Sequence, residues 1–148
     1  MWLTADEQRA WRAFLEATQR LFDDLDRQLQ REAGLSQADY EVLVRLSETP
    51  ERRMRMSELA DRALFSRSRL SHAVTRLEQE GLLKREACET DRRGTFAVLT
   101  EEGMERLRAV APGHVATVRR LLFDGLTAEQ VAQLEQISCS IANGRREA

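Results

Sequence analysis

A mainly α fold carrying one small β-hairpin is what this sequence predicts, and three observations predict it. Apolar residues recur at helical spacing over most of the 148 residues. Ser or Thr residues that suit helix starts punctuate those runs at Thr4, Ser36, Ser57, Ser66, Thr100 and Thr127. Only the stretch from Leu82 to Leu99 reads as two strands around a polar loop. With 42% hydrophobic and 32% charged residues the chain has enough apolar content for a real core, which excludes disorder.

The elements follow in order. Thr4 and Glu7 form a capping box, and Trp11, Phe14, Leu15, Thr18, Leu21, Phe22, Leu25 and Leu29 continue one apolar stripe to Gly34. So long a stripe exceeds what a small domain covers by itself, so part of it is expected to pack on another chain. Ser36, with Asp39 in the first turn, starts a second helix with Tyr40, Val42, Leu43 and Leu46 inward, stopped by Thr49 and Pro50. The charged run Glu51, Arg52, Arg53 is expected to be a solvated loop.

Ser57 is expected to cap a short third helix with Leu59, Ala60 and Ala63 inward, and Ser66 a fourth with Leu70, Val74 and Leu77 on one side. At about 100° per residue, Ser68, His72, Thr75 and Gln79 of that fourth helix project from the opposite side, flanked by Arg69 and Arg76. Gly81 supplies a left-handed stop. Strands are expected over Leu82 to Cys88 and Thr95 to Leu99, joined by a loop holding Asp91, Arg92 and Arg93. Thr100 opens a fifth helix in which Pro112 and Gly113 predict a kink, because the apolar face resumes at Val115, Val118, Leu121 and Leu122. Thr127 and Gln130 open a last helix through Val131, Leu134, Ile137 and Ile141 to Asn143 and Gly144.

Two short helices followed by a hairpin with a basic loop make the order of a winged helix-turn-helix, here flanked by long helices. Such a helix and wing set side by side can read DNA grooves. The DNA-contact candidates on the fourth helix are Ser66, Arg67, Ser68, Arg69, Ser71, His72, Thr75 and Arg76. Ser68, Arg69 and His72 suit base edges, while Arg76 suits a phosphate or a neighbouring carboxylate. In the loop, Arg93 suits a narrow minor groove, Arg92 a phosphate, and Asp91 the orienting of an arginine. The net charge of −2 does not oppose this, because charge is local: Glu51 to Thr100 holds 11 Lys/Arg against 8 Asp/Glu, and the rest holds 12 against 17.

The run from Ser57 to Gly103 resembles the core of the MarR family of bacterial transcription regulators. The shared features are a Leu-Ala helix start, Arg-Leu-Glu before Gly-Leu, an Asp-x-Arg wing and Leu-Thr-x-x-Gly after the second strand. The resemblance covers nearly the whole chain as a single domain: residues 1–34 and 101–148 would be dimerisation helices, and 36–100 the winged DNA-binding region. It implies a homodimer that grips a pseudo-palindromic operator in double-stranded DNA, usually as a repressor. It also implies an effector pocket for a small aromatic or lipophilic molecule, whose matching positions are Trp11, Phe14, Leu15, Tyr40 and Leu43.

Other functions find less support. There is no Gly-rich phosphate loop, G-x-S-x-G elbow or HExxH pair, so no enzyme is expected. His72 and His114 are isolated, so no metal or cofactor is expected. Cys88 and Cys139 lack CxxC spacing, so no disulfide is expected. No apolar run reaches a membrane span, and the acidic start does not resemble a secretory signal, so a cytoplasmic protein is expected. The alternative to DNA binding is a winged helix that contacts another protein.

Overall fold

A computed structural model of the chain describes residues 1–90 and 94–144. Its element order is α1 (Ala5–Ala33), α2 (Gln37–Ser47), a 3-10 turn (Pro50–Arg52), β1 (Arg53–Arg55), α3 (Met56–Arg62), α4 (Arg67–Gln79), β2 (Leu83–Ala87), β3 (Thr95–Leu99), α5 (Glu101–Val118), a π-helical segment (Arg119–Phe123) and α6 (Ala128–Gly144). The chain divides into two compact units, Met1–His114 and Val115–Ala148, with the boundary inside α5.

The first unit is built on caps that the sequence marks. The Thr4 hydroxyl accepts from the Glu7 N–H at 3.2 Å while the Glu7 carboxylate accepts from the Thr4 N–H at 2.7 Å. Those hydrogen bonds to Thr4, the backbone one first, hold the Glu7 carboxyl below its ordinary range. Ser36 and Asp39 repeat the same exchange at α2. Gly34 and Gly81, at φ of 64° and 75°, take the left-handed turn that a residue with a Cβ resists, and the next N–H closes back onto Leu29 and Leu77.

The core lies among α2, α3, α4 and the sheet. Leu43, Leu46, Leu59, Leu77 and Leu83 have essentially no exposed surface, joined by Leu35 from the α1–α2 turn. The sheet runs β1-β3-β2, all antiparallel, with Met54 opposite Ala97 and Leu83 opposite Leu99. Met54, Ala97, Leu83 and Leu99 face inward by the two-residue period, which leaves Arg53, Arg55, Phe96, Lys84 and Glu86 on the outer face. There the Arg53 guanidinium lies 4.0 Å from the centre of the Phe96 ring.

Gly103 explains the Leu-Thr-x-x-Gly run. The Thr100 hydroxyl donates to the Gly81 carbonyl at 2.7 Å and accepts from the Gly103 N–H at 3.0 Å, so α5 starts hard against the α4–β2 turn. A Cβ on Gly103 would stand 2.0 Å from the Leu82 carbonyl oxygen. Further along, α5 is tied to the end of α1. Arg106 donates to the Ala33 carbonyl at 2.7 Å, and the His114 Nδ1 lies 3.0 Å from Gln28 Oε1, whose amide donates to Glu32 at 2.6 Å. Tyr40 sets its ring 4.3 Å from that of His114. Burial pushes the Tyr40 hydroxyl up and the His114 imidazolium down in pKa.

Three local expectations are corrected. Arg53 belongs to a strand rather than a solvated loop, because the alternation Arg53, Met54, Arg55 lets Met54 reach the core and β1 completes the sheet. Arg52 is engaged too, donating to Glu101 at 2.8 Å, and both Glu51 and Arg52 sit at positive φ, a backbone cost that no glycine relieves. Helix α3 begins at Met56 with Arg55 as its N-cap and no side-chain cap, so Ser57 lies inside it. The expected first strand shortens to Leu83–Ala87, although the Cys88 N–H still donates to the Gly94 carbonyl at 2.9 Å. The one long helix expected around Pro112 is found, with Pro112 inside it. The proline stands on the exposed side, where water can satisfy the carbonyl of exposed Arg108 that its missing N–H leaves, and the irregularity comes later as the π-helical segment.

The second unit holds the end of α5, the π-helical segment and α6, whose start is a capping box between Thr127 and Gln130. None of α6's described residues is buried, and Ile137 and Ile141 are more than half exposed. Cys88 is buried, its sulfur 3.4 Å from an Arg55 Nη and 3.3 Å from the Thr90 hydroxyl, and Cys139 is exposed. No helix among the described residues is long and apolar enough to cross a membrane.

Candidate nucleic-acid interface

Helix α4 gains its position from both ends and one face. The Ser66 hydroxyl accepts from the Arg69 N–H at 3.2 Å, capping the start, and Leu70, Ala73, Val74 and Leu77 are buried. The same spacing leaves Ser66, Arg67, Ser68, Arg69, Ser71, His72, Thr75 and Arg76 exposed. All eight helix candidates therefore belong to one exposed polar surface. Asp91, Arg92 and Arg93 lie outside the described residues.

The three arginines of that surface differ in what holds them. Arg67 approaches Asp61 at 3.6 Å with both side chains mostly in water, a weak tether. Arg76 is committed inward: its Nε donates to Asp39 Oδ2 at 3.1 Å, one Nη donates to Ser36 Oγ at 3.1 Å, and the same Nη pairs with Asp39 Oδ1. Asp39 is 1% exposed, and its hydrogen bond raises the pKa of Arg76. Of the two partners the sequence reading offered for Arg76, the structure supplies the neighbouring carboxylate. Arg69 lies over an aromatic face, its guanidinium 4.4 Å from the centre of the Phe65 ring, and no carboxylate among the described residues pairs with it.

Sequence reasoning missed Asp39, Phe65 and Glu41 as supports of this surface. Glu41 accepts from Arg45 at 2.7 Å and from the Leu64 N–H at 3.1 Å, tying α2 to the turn before α4. Asp39 had a signal, a carboxylate among the inward positions of α2. Phe65 and Glu41 had none, because their partners depend on how the helices cross.

The residues named for an effector do not gather in one place. Leu43 is wholly buried in the core. Trp11, Phe14 and Leu15 are exposed at 52%, 49% and 39% on the first half of α1. Tyr40 lines a cleft of about 310 Å³ with Gln37, Glu41, Val44 and Leu64, into which none of the other four named residues enters. Gln37 Oε1 is buried without a hydrogen-bond partner. Among the described residues no group of three or more His, Cys, Asp or Glu side chains is placed to hold a metal ion.

A family model described as MarR family matches residues 33–94, the span that holds α2, α3, α4 and the strands β1 and β2. The structure is similar to that of Sco3205, a MarR family transcriptional regulator from Streptomyces coelicolor solved in complex with DNA. The two share 55% identity at a TM-score of 0.93, over 97% of this chain and 91% of that one. AbsC, a MarR family transcriptional regulator from the same organism, shares 50% identity at a TM-score of 0.92, over 100% of this chain and 99% of its own. The HTH-type transcriptional regulator MhqR of Bacillus subtilis is 33% identical over 89 residues, which span 60% of this chain and 60% of MhqR. Identity at more than half the positions, sustained along nearly the whole of a solved member with the same fold, means that the chain belongs to the MarR family of transcription regulators.

Proposed function

We propose that the protein is a homodimeric, sequence-specific DNA-binding repressor that grips a pseudo-palindromic operator with two copies of α4 and two wings. The observation that carries this reading is the exposed surface from Ser66 to Arg76, polar and arginine-bearing along its length and capped at its start. That Sco3205, at 55% identity, was solved in complex with DNA supports it. Ser68, Arg69 and His72 are the base-reading candidates, with Ser66, Arg67, Ser71 and Thr75 toward phosphates. Arg76 acts chiefly by holding α4 through Asp39. Arg92 and Arg93 of the loop, oriented by Asp91, supply the wing contacts. Two heads on one face of the duplex would enter major grooves one helical turn, roughly 34 Å, apart.

Exposed Trp11, Phe14 and Phe22 on α1 supply an apolar surface for the second copy. A small aromatic or lipophilic effector would enter the cleft beside Tyr40, where Val44 and Leu64 offer apolar contact. It would release DNA only by binding one arrangement of the heads better than another.

The test is to select bound duplexes from a random pool and then measure affinity for the selected operator as salt is raised, for the wild type and Arg93→Ala. The expected result is an enriched inverted repeat, affinity falling steeply with salt, and a salt slope smaller by about one for the variant. No enriched sequence, or affinity indifferent to salt, overturns the reading.

A further inference from the structure

We propose that Phe65, a residue outside the base-reading set, positions the Arg69 guanidinium for reading a guanine, and so sets the base preference of α4; this rests on the DNA-binding reading above. The contrast among the three arginines carries the inference. Arg76 spends its donors on Asp39 and Ser36. Arg67 swings beside an equally exposed Asp61. Arg69 alone of the three is held by a surface that takes none of its donors: a ring 4.4 Å from its guanidinium carbon. A stacked guanidinium keeps its N–H groups available at its edge, and the planar fork of an arginine matches the O6 and N7 acceptors of guanine in the major groove.

The ring itself is fixed. Phe65 is partly buried and packed against the core, at the turn that leads into α4. The backbone of Arg69 is fixed as well, because its N–H donates to the Ser66 hydroxyl that caps the helix. Backbone and guanidinium are thus both held before DNA arrives, so part of the rotamer entropy a free arginine would lose on binding is already lost in folding. An aliphatic residue at position 65 fills the same space and keeps the turn, but offers no negative face to the cation.

The test uses the full chain and the operator selected with the wild type, measuring affinity for every single-base variant of that operator. The proteins compared are Phe65→Leu, Phe65→Tyr, Arg69→Ala and the double variant Phe65→Leu with Arg69→Ala. Phe65→Leu is expected to weaken operator binding about three- to tenfold, concentrated at one guanine in each half-site, with Phe65→Tyr near wild type. In the Arg69→Ala background, Phe65→Leu is expected to change nothing further. An equal loss in both backgrounds, or a loss spread evenly over all base positions, overturns the proposal. Should Phe65→Leu lower the melting temperature, a trifluorinated phenylalanine at position 65 keeps the shape and removes the negative face. It must then reproduce the guanine-specific loss, and wild-type behaviour overturns the proposal. A wild type that enriches no sequence removes the DNA-binding reading and this inference together, whereas an intact operator with additive variants removes this inference alone.

Discussion

The winged segment and the first turns of α1 treat their apolar residues in opposite ways. From Gln37 to Leu99 the leucines of the helices and strands are buried, with Leu64 of the α3–α4 turn left out at 81% exposure. In the first 24 residues no side chain is buried, although Trp2, Trp11, Phe14 and Phe22 are among the largest apolar groups of the chain. Both regions are patterned at their proper periods. The difference is that α2, α3, α4 and the sheet supply each other with covering surface, whereas the start of α1 extends beyond anything its own unit places against it. A winged region of this kind specifies its own fold, and the α1 stripe is the surface that the proposed second copy would cover.

Five substitutions break or sharpen that contrast. The largest loss is expected for Gly103→Ala, since the new Cβ would meet the Leu82 carbonyl oxygen at 2.0 Å and backbone cannot give way cheaply. A cost of at least about 3 kcal/mol should appear as a lower urea midpoint. Next come the two halves of the Asp39–Arg76 pair, which should be unequal. Arg76→Ala leaves a carboxylate that is 1% exposed without its cation and should cost about 3 kcal/mol, whereas Asp39→Ala leaves a half-exposed arginine that water can serve and should cost about 2 kcal/mol. A larger cost for Asp39→Ala than for Arg76→Ala would mean that Asp39 matters mainly as a cap of α2.

On the other side of the contrast, Phe14→Glu should leave the secondary structure intact, because the side chain is 49% exposed within its own chain. It should raise the dimer dissociation constant about a hundredfold in sedimentation equilibrium, since a charge would be carried into an apolar interface. An unchanged dissociation constant would move the interface away from this face. The smallest effect concerns His114. Burial lowers its pKa from 6.5, so as the pH falls below 6.5 the unfolded chain takes up a proton that the folded chain resists. Stability should therefore decline as pH falls through that window, and His114→Gln should lessen the decline in pH-dependent melting curves.

Much of the fold was legible because caps and periods are local. Thr4 with Glu7, Ser36 with Asp39, Ser66 and Thr127 with Gln130 each satisfy helix-end donors within a few residues, so the sequence marks them directly. Strand β1 was not legible, because three residues bounded by charges become a strand only when β3 offers its edge. Ser57 misled because Arg55 already stands in extended backbone at the helix start, so α3 begins two residues early without a side-chain cap. Within the candidate interface, periodicity placed Ser68, His72 and Thr75 on the exposed side with Arg69 and Arg76 flanking them, and the structure leaves all eight candidates exposed. It could not rank the arginines, whose partners, Asp39 at a separation of 37 residues and Phe65 across a turn, are matters of helix crossing and rotamer.

By itself the sequence determined the helices, their caps except at α3, the hairpin and the polar face of α4, because these follow largely from hydrogen bonds and side-chain directions set locally along the chain. Only the tertiary structure decided that Arg76 turns inward to Asp39, that Arg69 rests on Phe65, that Gly103 touches the Leu82 carbonyl, and that Leu43 belongs to the core. These are contacts between elements, set by how the helices and strands come together, which local pattern does not encode.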